Sequence, residues 1–410
     1  MKHIRFSKIG ALALALCLCG AVTLFGCGTA RAASGGSTDS AAVIADTEES
    51  LLDQLFSERD LEQEPDLDQG VALTVSDGET LTVTEAGVYR IQGSAKNAVV
   101  LVDAPDDAKV QLVLDGVSIT NTDFPAIYVK SADKVFVTTI ADSSLSVTGS
   151  FESDGDTNTD GVIFSRDDLT LNGTAKLTIS STDNGVVSKD DLKITGGSYE
   201  ITASSKCFEA NDTIRVAGGS FTLKAGTDAF HAENDEDQSL GNIYILDGEI
   251  SISAGDDGIH ANTLLQIEGG SVTVKAGEGL EATYVLINGG TIDITASDDG
   301  INAAWKSGAY TPTVEINGGE LTIAMGAGDT DGIDSNGNLI ITGGTISITG
   351  SSGFDFDGTV SFTGGTVIVN GQQINTISSQ MMGGGMGGFG GMGGFGGMGG
   401  FGGGRGGGGH

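Results

Sequence analysis

The chain has 410 residues, 67 of them glycine, and a formal net charge of -35. So acidic a balance excludes nucleic acid as a partner, because phosphate binding needs a basic face. Three of the four cysteines fall in the first 27 residues, so Cys207 stands alone in the body and neither a disulfide framework nor a cysteine zinc site can be built.

Residues 1–33 read as an export signal, with Lys2, Arg5 and Lys8 followed by an apolar run from Ile9 to Phe25. Leu24-Phe25-Gly26-Cys27 resembles a bacterial lipobox, in which Cys27 would carry the lipid and tie the protein to a membrane at the cell surface. Cleavage near Ala30-Arg31-Ala32 and retention as a short membrane helix are the competing readings. Residues 34–70 are Ser-rich and then acidic, with one amphipathic piece from Glu48 to Leu61, and have the composition of a spacer.

Strand-like alternation starts at Val71 and runs through VALTVSDGETLTVTEAGVYRIQG. Residues 71–159 lack double glycines, and the expectation for them is an N-terminal cap and the first coils of a solenoid, since an open edge would recruit other chains.

From 160 to 380 the repeat is explicit. Asp257, Glu278 and Asp299 recur 21 residues apart, as do Ile259, Leu280 and Ile301. Such a period with strand-like content marks a solenoid, in which each repeat buries its apolar face against its neighbours. Gly-Gly pairs, among them Gly269-Gly270, Gly289-Gly290 and Gly318-Gly319, are each flanked by two short alternating strands, and a third strand of the form Gly-Ile-x-Ala follows. Three strands per 20 to 29 residues, with no 3.6-residue apolar period, fit an all-β chain wound as a three-faced parallel β-helix. Residues 381–410 are Gly/Met/Phe units that cannot offset their ordering entropy, so a disordered tail is expected.

The third strand carries the dense chemistry. Asp160, Asp183, Asp228, Asp257, Glu278, Asp299 and Asp331 precede or occupy its first corner, with Asp256 and Asp298 as second carboxylates. Glu209, His231, His260, Glu281, Asn302, Asp334 and Asp355 fall on its outward side. At a coil spacing of about 4.8 Å these groups form a ladder of like charges that either raises their pKa values or draws cations between them. Calcium suits the oxygen donors; a solvated acidic corner is the alternative. Asp256, Asp257, Glu278, Asp298, Asp299 and Asp331 are the candidate metal ligands. His260, Glu281 and Asn302, with Trp305 and Tyr310 of the insertion WKSGAYTP, are the candidate ligand-binding residues.

Catalysis has thinner support. Asn158-Thr159-Asp160-Gly161 resembles one element of polygalacturonases, but the family's other elements are missing. Lys206, Lys224 or Arg215 are the available bases for a lyase.

Taken together, VVLVDAPDDAKVQLVLDGVSITN, DDGIHA, DDGINA, the strands delimited by double glycines and the Gly/Met/Phe tail resemble a family of secreted bacterial carbohydrate-binding domain-containing proteins. That resemblance implies a right-handed parallel β-helix similar to pectate-lyase-like proteins, bound calcium at Asp256, Asp257, Asp298, Asp299 and Asp331, and adhesion to plant cell-wall polysaccharide such as cellulose or polygalacturonate without cleavage. The expectation is therefore a monomeric, lipid-anchored, calcium-dependent polysaccharide binder at the cell surface. A polysaccharide lyase or hydrolase, and a structural stalk, are the alternatives.

Overall fold

The computed structural model describes residues 50–68, 70–326 and 330–378. The export signal, Cys27, most of the spacer and the glycine-rich tail lie outside the described residues. Among the described residues, no helix is long and apolar enough to cross a membrane.

The body is a solenoid of about twelve coils. Each coil lays one strand on each of three parallel sheets, and every described strand but the last pairs with its equivalent one coil away. The first sheet holds the strands before the double glycines, such as Thr313–Ile316 and Asn338–Ile341. The second holds those after them, such as Ser271–Ala276 and Thr291–Ala296. The third holds the Gly-Ile-x-Ala strands, such as Ile301–Ala303 and Asp331–Ser335. The right-handed sense is the one that parallel crossovers take.

Period-two alternation decides which side chains enter the core. In both Ser271–Ala276 and Thr291–Ala296 the burial alternates strictly, with Val272, Val274, Ile292 and Ile294 inside. In-register pairing then stacks Val272 on Ile292 and Ile292 on Leu321, so the interior is a set of aliphatic columns. Coils with larger residues stack rings instead: Phe208 lies on Phe230 at 5.1 Å and Tyr199 on Phe221 at 5.4 Å.

The second glycine of each pair makes the corner between the first and second sheets. Gly290 has φ +90°, and a Cβ there would lie 3.0 Å from the backbone oxygen of Gly269. Both the conformation and the space therefore demand glycine. Side chains beside these corners bond from coil to coil, as Asn288 does to Glu268 (2.6 Å) and Asn317 to Asn288 (3.0 Å).

The regular register begins at Val71–Thr74, which pairs in parallel with Gly87–Lys96. At the other end the chain turns at Asn370-Gly371, both with positive φ (50° and 76°), and Gln372–Ile374 returns antiparallel to Thr366–Val369. Asn-Gly is the pair that favours such a tight hairpin.

Residues 50–68, within the expected spacer, are packed on the solenoid. Two short helices, Leu51–Leu55 and Glu58–Leu61, flank a buried Phe56, and Ser57 forms a capping box with Asp60. Asp60 reaches Lys134 and Lys193 on the outer face of the first sheet.

Candidate functional site

On the third sheet the register sets Glu209, His231, His260, Glu281, Asn302, Asp334 and Asp355 in one outward row. Their neighbours Ile259 and Ala261 point into the core. From His260 onward a glycine stands two residues ahead of each, where Glu209 and His231 have Cys207 and Ala229; at Gly279 space requires it, for a Cβ there would sit 2.3 Å from the oxygen of Gly300 in the next coil.

Although the row faces outward, its middle is covered; His260 is 9 % and Glu281 4 % exposed. Two insertions at the corner between the third and first sheets cause this. Residues 233–241 and 304–312 meet across the intervening coils, where Ser307 Oγ donates to the Gln238 carbonyl at 2.7 Å and Thr263 Oγ1 to the same oxygen at 3.0 Å. Thr283 Oγ1 accepts from the backbone N–H groups of Lys306 and Ser307.

Burial of like charges requires counter-charges, and one stretch of the row supplies its own. His260 Nδ1 lies 2.8 Å from both Asp257 Oδ2 and Glu281 Oε2, and Lys306 Nζ lies 2.8 Å from Glu281 Oε1. Burial works against the His260 cation, but these two carboxylates outweigh it and lift its pKa to about 10. Glu281 is held down to about 2: burial opposes this, and His260 and Lys306 prevail. Asp257, with one cationic partner and the Glu281 charge beside it, is raised by burial to about 6. The pattern repeats one coil back, where His231 bridges Asp228 (2.9 Å) and Glu233 (3.1 Å) and its ring stacks on that of His260 at 4.7 Å. One coil further, Glu209 pairs with Lys189 (3.1 Å) and Lys206 (3.3 Å).

The rest of the row has no such supply, for no Lys, Arg or His occurs between Lys306 and Arg405. Asp334 is raised to about 7, by burial first and then by Asp299, Asp355 and Asp331. Glu278 is raised to about 7 by burial and by Glu281. Between them, Asn302 donates to Glu278 Oε2 at 3.0 Å and Glu281 Oε1 at 3.3 Å, while its own buried Oδ1 has no hydrogen-bond partner.

These two stretches differ in their fitness for calcium. Asp257, His260 and Glu281 bring three ligand atoms within 4.8 Å, but the imidazole already occupies the space between the carboxylates and offers nitrogen. That set does not fit an ion that takes six to eight oxygens. Around Asn302 the available groups are oxygens, the orphaned Oδ1 and the carboxylates of Glu278, Asp299, Asp331 and Asp334, but among the described residues no three of these carboxylates bring oxygens within 4.8 Å of one another. The donor type fits calcium; the spacing is that of a row along successive coils.

Of the other expected residues, Asp256 and Asp298 are exposed on the corner ahead of the row. Trp305 is 64 % exposed, and Tyr310 packs edge-on against Tyr284 at 5.4 Å. Both belong to the insertion that delivers Lys306 to Glu281. Lys206 lines a cleft of about 650 Å³ with Lys189, Glu209, His231, Glu233 and Asn234. Arg215 instead pairs with Asp191, and Lys224 faces outward on the second sheet, so the structure does not gather the three candidate bases. Cys207 is buried, which lifts its thiol to about 12. The sequence marked the insertion at 304–312 for Trp305 and Tyr310 but not for Lys306, and did not mark residues 233–241; a lysine beside the lone tryptophan was the available signal.

A family profile described as carbohydrate-binding domain-containing protein matches residues 77–329 and 278–376. The chain belongs to that family. A carbohydrate-binding domain-containing protein from Acetivibrio thermocellus is 39 % identical over 137 residues, which cover 32 % of this chain and 47 % of that relative. The match thus spans about half of the relative's length. Among solved structures, the polysaccharide lyase-like protein from C. thermocellum, a gadolinium derivative, is 24 % identical with a TM-score of 0.43, over 71 % of this chain and 98 % of that one.

Proposed function

We propose that the solenoid binds polysaccharide on the third sheet at the less covered end of the outward row, from Asn302 to Asp355, without cleaving it, and that calcium is held at the Asn302 end. The observation that carries this is the acidic end of the row: an orphaned amide oxygen near carboxylates, two of which are raised to about 7. Asn302 Oδ1, Glu278, Asp299, Asp331 and Asp334 would hold the ion. Bound there, calcium supplies a positive charge that a carboxylated sugar can share. A chain at -35 otherwise repels a polyuronate.

Trp305 offers a ring face on which a sugar can stack, beside the same row. The cleft next to His231 offers hydroxyl-binding acids, amides and lysines. Polygalacturonate and cellulose are the ligands proposed, with Cys27 carrying a lipid that keeps the protein at the cell surface. Isothermal titration of the full chain with polygalacturonate and with cello-oligosaccharide, in calcium and again in EDTA, tests the reading. Calcium-dependent heat with polygalacturonate is expected; no heat with either sugar in either condition would overturn it.

A further inference from the structure

The strap of residues 50–68 covers the first sheet, a face apart from the row. Under it the outward side chains are hydrogen-bond donors around one ring: Lys134, Thr170, Asn172, Lys193 and Thr195 beside Phe136. On three consecutive coils they receive one carboxylate. Asp60 Oδ1 lies 2.5 Å from Lys134 Nζ and accepts from Thr170 Oγ1 at 3.1 Å, and Oδ2 lies 3.0 Å from Lys193 Nζ. Asn172 donates to the Glu62 carbonyl, Thr195 to that of Asp60, and the Gly173 N–H to Gln63 Oε1.

Two ammonium groups with side chains only 10 % and 12 % exposed are costly without an anion, so the clamp requires a carboxylate whatever supplies it. Burial and the nearby Lys134 already hold Lys193 below its ordinary value. Asp168, a nearby carboxylate, is raised to about 6, by burial first and then by Asp191.

The strap that fills this clamp is itself acidic at every second position: Glu58, Asp60, Glu62, Glu64, Asp66 and Asp68. Only Asp60 is turned inward; the others are exposed on a body of the same sign. Docking therefore rests on Phe56, Asp60, Gln63 and the Arg59 contacts with Gln111 and Phe136. Ammonium, hydroxyl and amide donors around an aromatic ring are also what a carboxylated sugar requires.

We propose that Lys134, Lys193 and Thr170 form a second carbohydrate site, specific for a sugar carboxylate, which the chain itself fills with Asp60, and that an acidic polysaccharide competes with the strap for it. This rests on the reading that the chain binds polysaccharide, but needs no calcium. A ligand that must displace the strap binds more weakly by the fraction of molecules in which the site is open, so loosening the strap tightens binding.

The test is titration of the full chain with polygalacturonate in EDTA, where bridging at the row is silent, with cello-oligosaccharide as the neutral control. Asp60→Ala is expected to bind polygalacturonate at least about tenfold more tightly than wild type. Adding Lys193→Gln should abolish the gain, and the neutral sugar should gain nothing. Hydrogen exchange at 58–63 in wild type should rise with polygalacturonate. If Asp60→Ala does not fold, Arg59→Ala with Gln63→Ala loosens the strap while keeping the ion pairs, and the same gain is expected. Unchanged affinity in EDTA together with unchanged exchange would make the strap a fixed clamp and overturn the inference. Loss of all sugar binding, in calcium as well, would instead sink the reading on which it rests.

Discussion

Two stretches of one row, built on the same backbone positions of successive coils, solve opposite electrostatic problems. From Glu209 to Glu281 every buried carboxylate on the row meets a histidine or lysine, and the stretch is neutralised from within. Past Lys306 the chain provides no basic residue until Arg405, and Asp334 is raised to about 7. A repeat thus fixes where side chains stand, while the charge at each step is free to be balanced in one stretch and to accumulate as raised carboxylates in the next.

The comparison breaks most visibly by deleting one acid from each stretch. Glu281→Ala leaves the buried His260 with Asp257 as its one remaining carboxylate partner and frees the partly exposed Lys306, and a loss of about 2–3 kcal/mol is expected from chemical denaturation. Asp334→Ala removes a repelled carboxylate, so in EDTA the same measurement should show no loss, or a small gain. Gly290→Val lies at a corner common to both stretches. It forces a β-branched residue to φ +90°, and a loss of about 1–3 kcal/mol is expected on denaturation in calcium and in EDTA alike.

Calcium should act on one stretch alone. Its addition is expected to raise the melting temperature and to slow hydrogen exchange in 299–335 more than in 208–262, and Asp334→Asn with Asp299→Asn should remove both effects. Equal protection of the two stretches would show that calcium binds elsewhere.

The pH profile sharpens the same contrast. His260 rises from its ordinary 6.5 to about 10 in the fold, so its stabilisation is complete below pH 6.5 and is lost as pH climbs through 10. Asp334 rises from 3.8 to about 7, so without calcium its contribution is complete below pH 3.8 and is lost as pH climbs through 7. Melting curves of His260→Asn and Asp334→Asn against wild type should therefore converge in different windows, the first above pH 10 and the second below pH 4. The smallest effect on stability belongs to Trp305→Ala, within about 0.5 kcal/mol because the ring is exposed. In titration with cello-oligosaccharide, however, it should weaken binding.

The 21-residue period and strict alternation named the outward positions before any coordinates, because a parallel in-register stack converts sequence offset directly into spatial neighbourhood. The double glycines named the corners for the same local reason. His260 was legible as outward but not as buried, because its roof comes from residues 233–241 and 304–312, whose meeting depends on where two irregular loops close.

The strap shows the same limit. Its composition is that of a spacer, and nothing within a dozen residues of Asp60 announces Lys134 and Lys193. The sequence by itself determined the solenoid, its three faces, its glycine corners and the row, because each follows from period and conformational preference within one repeat. Only the tertiary structure decided which carboxylates meet a histidine or lysine, which are raised by burial beside their own kind and where the acidic strap docks. Those are contacts between residues far apart in the chain, set by burial and charge rather than by period.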